Sequence, residues 1–234
     1  AFLTTLSVYL AMSSHDYLSF ISNICGKLKT IKRTGWVRSG VPLPESDADH
    51  MHRCCMCAML LQQDENGKEQ YGDSTIKYHP SKVDKNKLLK MTVSHDLCEA
   101  LAGDITPHCS KELIQSKYAK EEAAMEEIRK IVGDPLGLEL FELWKEYEAQ
   151  ETVEAIYCKD IDKFEMIVQA YEYEAAHLLH KNEADPSKTG DVCHEPLRSF
   201  FCSTNKAIKT PLFRRLDIEQ RQRREVMLKE RGWE

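Results

Sequence analysis

The chain of 234 residues has no apolar run near the roughly 18 residues of a membrane-spanning helix, so no membrane is expected as a partner. Glycine and proline are scarce, at 10 and 8 residues, which argues against collagen-like, linker-rich and many-turned all-β chains. A basic excess is missing too. Lys and Arg number 32 against 38 Asp and Glu, a net charge of −6. Such a chain has no global attraction for phosphate backbones, so nucleic acid is not expected as a partner. The nine cysteines are an odd number, and Cys54-x-x-Cys57 has no second CxxC to complete a zinc site. Their scatter fits a reducing compartment, so a cytoplasmic location is expected.

What is present is the composition of a globule, with 30% charged and 42% hydrophobic residues. A core of this size buries roughly 70% of the surface of the unfolded chain, so no staple is needed. Phe2 to Ala11 is mildly apolar with no Lys or Arg before it. Residues 1–15 are read as an N-terminal extension, with Met12 a start, rather than as a signal h-region. A domain is expected over 16–205, interrupted by a polar surface insertion at 63–85. A charged helix or tail should follow at 206–234.

The hydrophobic spacing is helical almost throughout, and the class is all-α. Helices are expected over Asp16–Lys29, His50–Gln62, Asn86–Leu101, Lys111–Val132, Leu136–Glu148 and Thr152–His180. Ser46 or Asp47 can cap the helix that carries His50. The stretch from Leu212 to Trp233 mixes Arg, Glu and Lys, and reads as a solvated helix or an interaction tail.

Four positions in three stretches could carry the chemistry. His95 and Asp96 are adjacent in Ser94-His-Asp-Leu97. His50 opens an earlier helix. Asp162 lies in a stretch otherwise rich in Ile161, Phe164, Ile167 and Val168, where a carboxylate is costly unless paired or bound. Two imidazoles and two carboxylates form a mixed nitrogen and oxygen set. It suits one divalent ion among Mn, Co, Fe, Ni and Zn, and Mg less well. Asp160 is the nearest competitor to Asp162.

His50, then His95-Asp96, then a distant Asp162 resembles the signature of the HD-domain metal-dependent phosphohydrolases. Lys29-Thr-Ile-Lys-Arg-Thr-Gly-Trp36, Pro44-Glu-Ser-Asp-Ala-Asp-His50 and His95-Asp-Leu-Cys-Glu-Ala-Leu-Ala-Gly-Asp-Ile-Thr-Pro107 are similar to the HD domain-containing protein 2 group. That group is related to bacterial YfbR-type 5′-deoxynucleotidases. The likeness covers about residues 16–180 and implies a single HD-domain helical bundle.

The resemblance also implies a metal held by His50, His95, Asp96 and Asp162, with Glu99 and Asp104 acting beside it. Glu99, three residues after Asp96, can orient and deprotonate a water. Asp104 can meet the leaving 5′-oxygen or the sugar. Arg33 and Trp36 correspond to a nucleotide pocket, the guanidinium for phosphate and the indole for sugar or base. In the bacterial form these two residues are adjacent, whereas Thr34 and Gly35 intervene here. Thr106 and Lys117 are further pocket candidates.

The implied activity is hydrolysis of nucleoside 5′-monophosphates by a homodimer. Alternatives are another HD chemistry, on a cyclic nucleotide or guanosine tetraphosphate, and a non-catalytic metal-binding interaction module.

Overall fold

The computed structural model describes residues 16–61, 77–106, 109–179 and 197–232. The expected extension at 1–15, most of the expected insertion at 63–85 and the stretch 181–195 lie outside the described residues. Those described are helical, with no strand and one isolated bridge between Lys32 and Ser46. The all-α expectation holds.

The first helical stretch joins α1 (Tyr17–Ser19), a π-helical turn (Phe20–Cys25) and α2 (Gly26–Leu28). Then follow α3 (Thr34–Arg38), α4 (Asp47–Leu60), a 3₁₀ turn (Pro80–Lys82), α5 (Lys85–Ser94) and α6 (Glu99–Ala102). Next come α7 (Lys111–Val132), α8 (Leu136–Ala149) and α9 (Val153–Leu179), with α10 (Arg198–Ser203) and α11 (Pro211–Glu230) last. Two compact units result. One comprises Ala1–His52 with Lys90–Ala149, the other Arg53–Leu89 with Gln150–Glu234.

In the first unit, α7 starts where Ser110 Oγ accepts from the Leu113 amide at 3.3 Å, with Glu112 in the first turn. Its buried stripe of Ala124, Met125, Ile128 and Val132 packs with Phe141 and Trp144 of α8. The two helices close tightly because residue 137 is glycine: a Cβ there would lie 2.7 Å from the Arg129 carbonyl oxygen. The start of α4 is a reciprocal capping box. Asp49 Oδ2 accepts from the Ser46 amide at 2.9 Å and its hydroxyl at 2.7 Å, while Ser46 Oγ accepts from the Asp49 amide at 3.2 Å. Ser46 therefore supplies the cap, and those bonds hold the Asp49 carboxyl below its usual range.

In the second unit, α9 turns Ala155, Cys158, Ile161 and Ile167 inward, all almost fully buried. The helix α11 packs along it, with Phe213 beside Tyr157 and Phe164 at ring separations of 6.4 and 5.7 Å. Asp160 anchors the start of α11, accepting from the Lys209 and Thr210 amides at 2.7 and 2.6 Å. Glu174 of α9 is buried and takes a two-pronged ion pair from Arg224 at 2.7 and 2.9 Å. The Arg224 guanidinium also lies 4.0 Å from the Phe201 ring centre. Arg224→Met should destabilise the protein by about 3–5 kcal/mol, because the Glu174 carboxylate is left buried and uncompensated. Adding Glu174→Gln should recover much of that loss, as read by urea unfolding.

Candidate active site

The helix expected over Asn86–Leu101 is interrupted. Helix α5 ends at Ser94, and His95 to Cys98 form tight turns before α6. Polar side chains compete for the helix's own carbonyls there. Ser94 Oγ donates to the Lys90 carbonyl at 2.8 Å, and His95 Nδ1 donates to the Thr92 carbonyl at 3.0 Å. The amides of Leu97 and Glu99 bond three residues back, to Ser94 and Asp96, at 3.0 Å each. The break turns both His95 and Asp96 toward α4.

His50 on α4 is fully buried. Its ring centre is 5.4 Å from that of His95, and their ligand nitrogens lie within 4.8 Å. Asp96 Oδ2 is 3.7 Å from His50 Nε2 and 3.3 Å from His95 Nε2. With Nδ1 donating to a carbonyl, His95 Nε2 is left an acceptor, and it has no hydrogen-bond partner. An orphaned lone pair beside a second imidazole and a carboxylate fits a divalent cation. Tyr147 backs the His95 ring at 5.2 Å.

Arg33 precedes α3, and its guanidinium donates to Asp96 Oδ2 at 2.9 Å and lies 3.8 Å from Glu99 Oε2. Gly103 ends α6 at φ +78°, a conformation that favours glycine. Asp104 then reaches back, accepting from the Thr34 amide at 2.5 Å and, through its carbonyl, from Thr34 Oγ1 at 2.9 Å. Arg33, Asp96, Glu99 and Asp104 are thereby gathered beside the two histidines.

Burial and the neighbouring Asp96 push the Glu99 carboxyl well above its usual range, with Arg33 opposing. Asp47, in the first turn of α4, was read from the sequence only as a possible cap. It is fully buried among these groups, and burial pushes it up to about 7, opposed by Arg33 and reinforced by Asp96 and Asp104. An acidic residue inside a helix's first turn was its only sequence signal, and caps commonly explain that.

The other candidates lie as follows. Trp36 is 2% exposed, and its indole donates to Glu45 Oε1 at 2.8 Å. Thr106 Oγ1 is 3.7 Å from Cys109 Sγ. Lys117 is partly exposed on α7 and 3.5 Å from buried Glu121. Asp162 belongs to the second unit, where it pairs with Lys159 at 3.0 Å.

Burial also raises Glu121 from 4.5 to about 7, with Lys117 opposing and Glu148 and Asp96 reinforcing. The folded protein therefore binds a proton that the unfolded chain releases across that window. Stability must fall as pH rises from about 4.5 to 7. Metal-free protein should melt higher at pH 5.5 than at 7.5, and Glu121→Gln should flatten that slope in a thermal-unfolding series.

The fold and this site define a class. The family model described as the HD domain matches residues 25–199, and the chain belongs to that family. It is 44% identical over 204 residues to the 5′-deoxynucleotidase HDDC2 of Dictyostelium discoideum, covering 87% of this chain and 96% of that one. The 5′-deoxynucleotidase hdd1 of Schizosaccharomyces pombe is 39% identical over 177 residues, with 73% and 79% covered. Among solved structures, the PH0347 protein of Pyrococcus horikoshii OT3 superposes with a TM-score of 0.60 at 26% identity, covering 88% of this chain and 96% of its own.

Proposed function

We propose that this chain is a metal-dependent 5′-nucleotidase that hydrolyses (deoxy)ribonucleoside 5′-monophosphates to nucleoside and phosphate. The observation that carries this reading is the buried pair His50 and His95 with the part-buried Asp96 beside them, the orphaned His95 Nε2, and Glu99 and Arg33 close by. The relatives named 5′-deoxynucleotidase supply the substrate class. His50, His95 and Asp96 hold the ion, and Asp162 is the proposed fourth ligand on the likeness of its motif to the family's. A bound divalent ion supplies Lewis acidity, lowering the pKa of water and polarising the phosphoryl group.

Glu99 aligns a water for in-line attack on phosphorus and accepts its proton. A carboxyl raised by burial is the stronger base once ionised. The bond from phosphorus to the 5′-oxygen breaks, that oxygen takes up a proton from solvent as the nucleoside leaves, and Asp104 stands at that oxygen or at the sugar. Arg33 offers its remaining donors to the phosphate, which requires a fork geometry that Lys lacks. Trp36 enters through Glu45, holding the segment that carries Arg33, and Thr106 and Lys117 border the nucleoside. We place the protein in the cytoplasm as a homodimer that needs no nucleic acid.

Phosphate release should be measured with 5′-dAMP, 5′-AMP and 3′-dAMP after Mn, Co, Mg or Zn is added to metal-stripped protein. Metal-dependent release from the 5′-monophosphates alone is the expected result. Equal release from 3′-dAMP, or none with any metal despite a bound ion, would sink the reading. Turnover of a cyclic nucleotide instead would move it to another HD chemistry.

A further inference from the structure

Helix α11 carries the mixed-charge stretch that the reaction does not use, and one of its faces is unmet. Between α9 and α11 lies a groove of about 630 Å³. Tyr171 and Ala175 of α9, with Val226 and Met227 of α11, form its apolar part. Val226 is 54% exposed, whereas Met227 beside it is buried. Glu219, Arg223 and Glu230 also line the groove, and all three are exposed.

Neighbouring charges on α11 have partners within the chain. Arg221 donates to Asp217 at 2.8 Å, and Arg224 to Glu174 at 2.7 Å. Glu219, Arg223 and Glu230 make no ion pair among the described residues. Glu219 and Arg223 are four residues apart on one helix and still do not join.

The spacing of these residues is self-complementary. Positions 223, 226 and 230 follow the i, i+3, i+7 pattern that shares one helix face. Arg223 and Glu230 stand about 10 Å apart along the helix axis. Their midpoint falls between Val226 and Met227. A two-fold axis there, with two α11 helices antiparallel, brings Arg223 of each copy to Glu230 of the other. It also sets Val226 of each copy against the apolar part of the other's groove. An isologous interface requires such a patch, in which residue i meets j and j meets i. A strongly acidic partner would instead meet Glu219 and Glu230, and a strongly basic one would meet Arg223.

We propose that the groove between α9 and α11 is where two copies of this chain pair, with antiparallel α11 helices packing Val226 at the centre and exchanging an Arg223–Glu230 ion pair on either side. This pairing rests on the homodimer reading given above and assigns its surface. Apolar burial at Val226 supplies attraction, and the two ion pairs fix direction and register.

The test is analytical ultracentrifugation of the full chain over a concentration series. Wild type should sediment as a dimer. Arg223→Glu and Glu230→Arg each place two like-charge pairs in the interface. Each should raise the dimer Kd roughly ten- to a hundred-fold. The double variant, with both changes in one chain, exchanges the charges and should return Kd to near the wild-type value. The two single variants mixed together should form a mixed dimer in preference to either homodimer, because every pair across it is again of opposite sign. Native mass spectrometry reads that preference. Val226→Asp should weaken pairing by itself, and it keeps the surface testable if a charge reversal does not fold. Circular dichroism checks folding of each variant.

A dimer unmoved by both reversals and by Val226→Asp would overturn this surface and leave the homodimer reading standing. A double variant as weak as the single ones, or no preference for the mixed dimer, would overturn the Arg223–Glu230 exchange. A wild-type chain that is monomeric throughout the series would overturn the homodimer reading and this surface together.

Discussion

Glu99→Gln should fold, hold a divalent ion and release phosphate from 5′-dAMP roughly a hundred to ten thousand times more slowly than the parent, the usual contribution of a positioned general base. Glutamine keeps the size and one carbonyl oxygen but cannot accept a proton from water. The same change removes a buried carboxyl that burial and Asp96 hold above its usual range and that has an unpartnered Oε2. Metal-free Glu99→Gln should therefore melt at or above the parent at pH 7.5. The paired result, slower turnover with a higher melting temperature, is what separates a catalytic carboxylate from a structural one. A lower melting temperature with the same loss of activity would assign Glu99 to the scaffold. The measurements are steady-state phosphate release, bound metal by elemental analysis and thermal unfolding on one preparation.

His95→Ala should remove the ion and the activity together. The ring is held by its Nδ1 donor bond to the Thr92 carbonyl and by Tyr147 at 5.2 Å, so its Nε2 is aimed before any ion arrives. Losing a ligand outright should weaken metal affinity by more than the roughly 10–100-fold that losing a ligand's orienting partner costs. Elemental analysis after dialysis should show little bound metal, and excess Mn or Co should restore activity only partly. Asp96→Asn should be worse than its charge alone suggests, because Arg33 also loses its 2.9 Å partner. Retention of full metal content in His95→Ala would remove His95 from the centre.

Much of this was legible in the residues. The 3.6-residue spacing of Ala124, Ile128 and Ile131, and of Ile161, Phe164, Ile167 and Val168, announced amphipathic helices, since burial of one stripe is a property of local order. The expected helix ends at Leu101 and Val132 fall just before Gly103 and Gly133, each glycine sitting at positive φ where a helix ends. The family motifs around His50, His95 and Glu99 were readable because they occupy short stretches of chain.

Other features belong to packing between distant segments. The interruption after Ser94 turns His95 and Asp96 together, and it depends on polar side chains winning against the helix's own bonds. The sequence offered Asp162, with Asp160 two residues before it as the nearest competitor. Only the fold shows Asp160 holding the Lys209 and Thr210 amides. The mixed-charge stretch from Leu212 to Trp233 read as a solvated helix or an interaction tail, yet Phe213 and Arg224 are buried there because α9 supplies an apolar stripe and a carboxylate to meet them. Only the fold shows the Trp36 indole donating to Glu45.

Asp47 is the clearest case. Its sequence neighbours suggest a cap, but Ser46 and Asp49 took that duty, and its carboxyl is fully buried with neither oxygen partnered. Local periodicity sets which residues are helical and which face is apolar. Which polar groups end up buried together depends on long-range packing, and that arrangement decides where protons and cations must go.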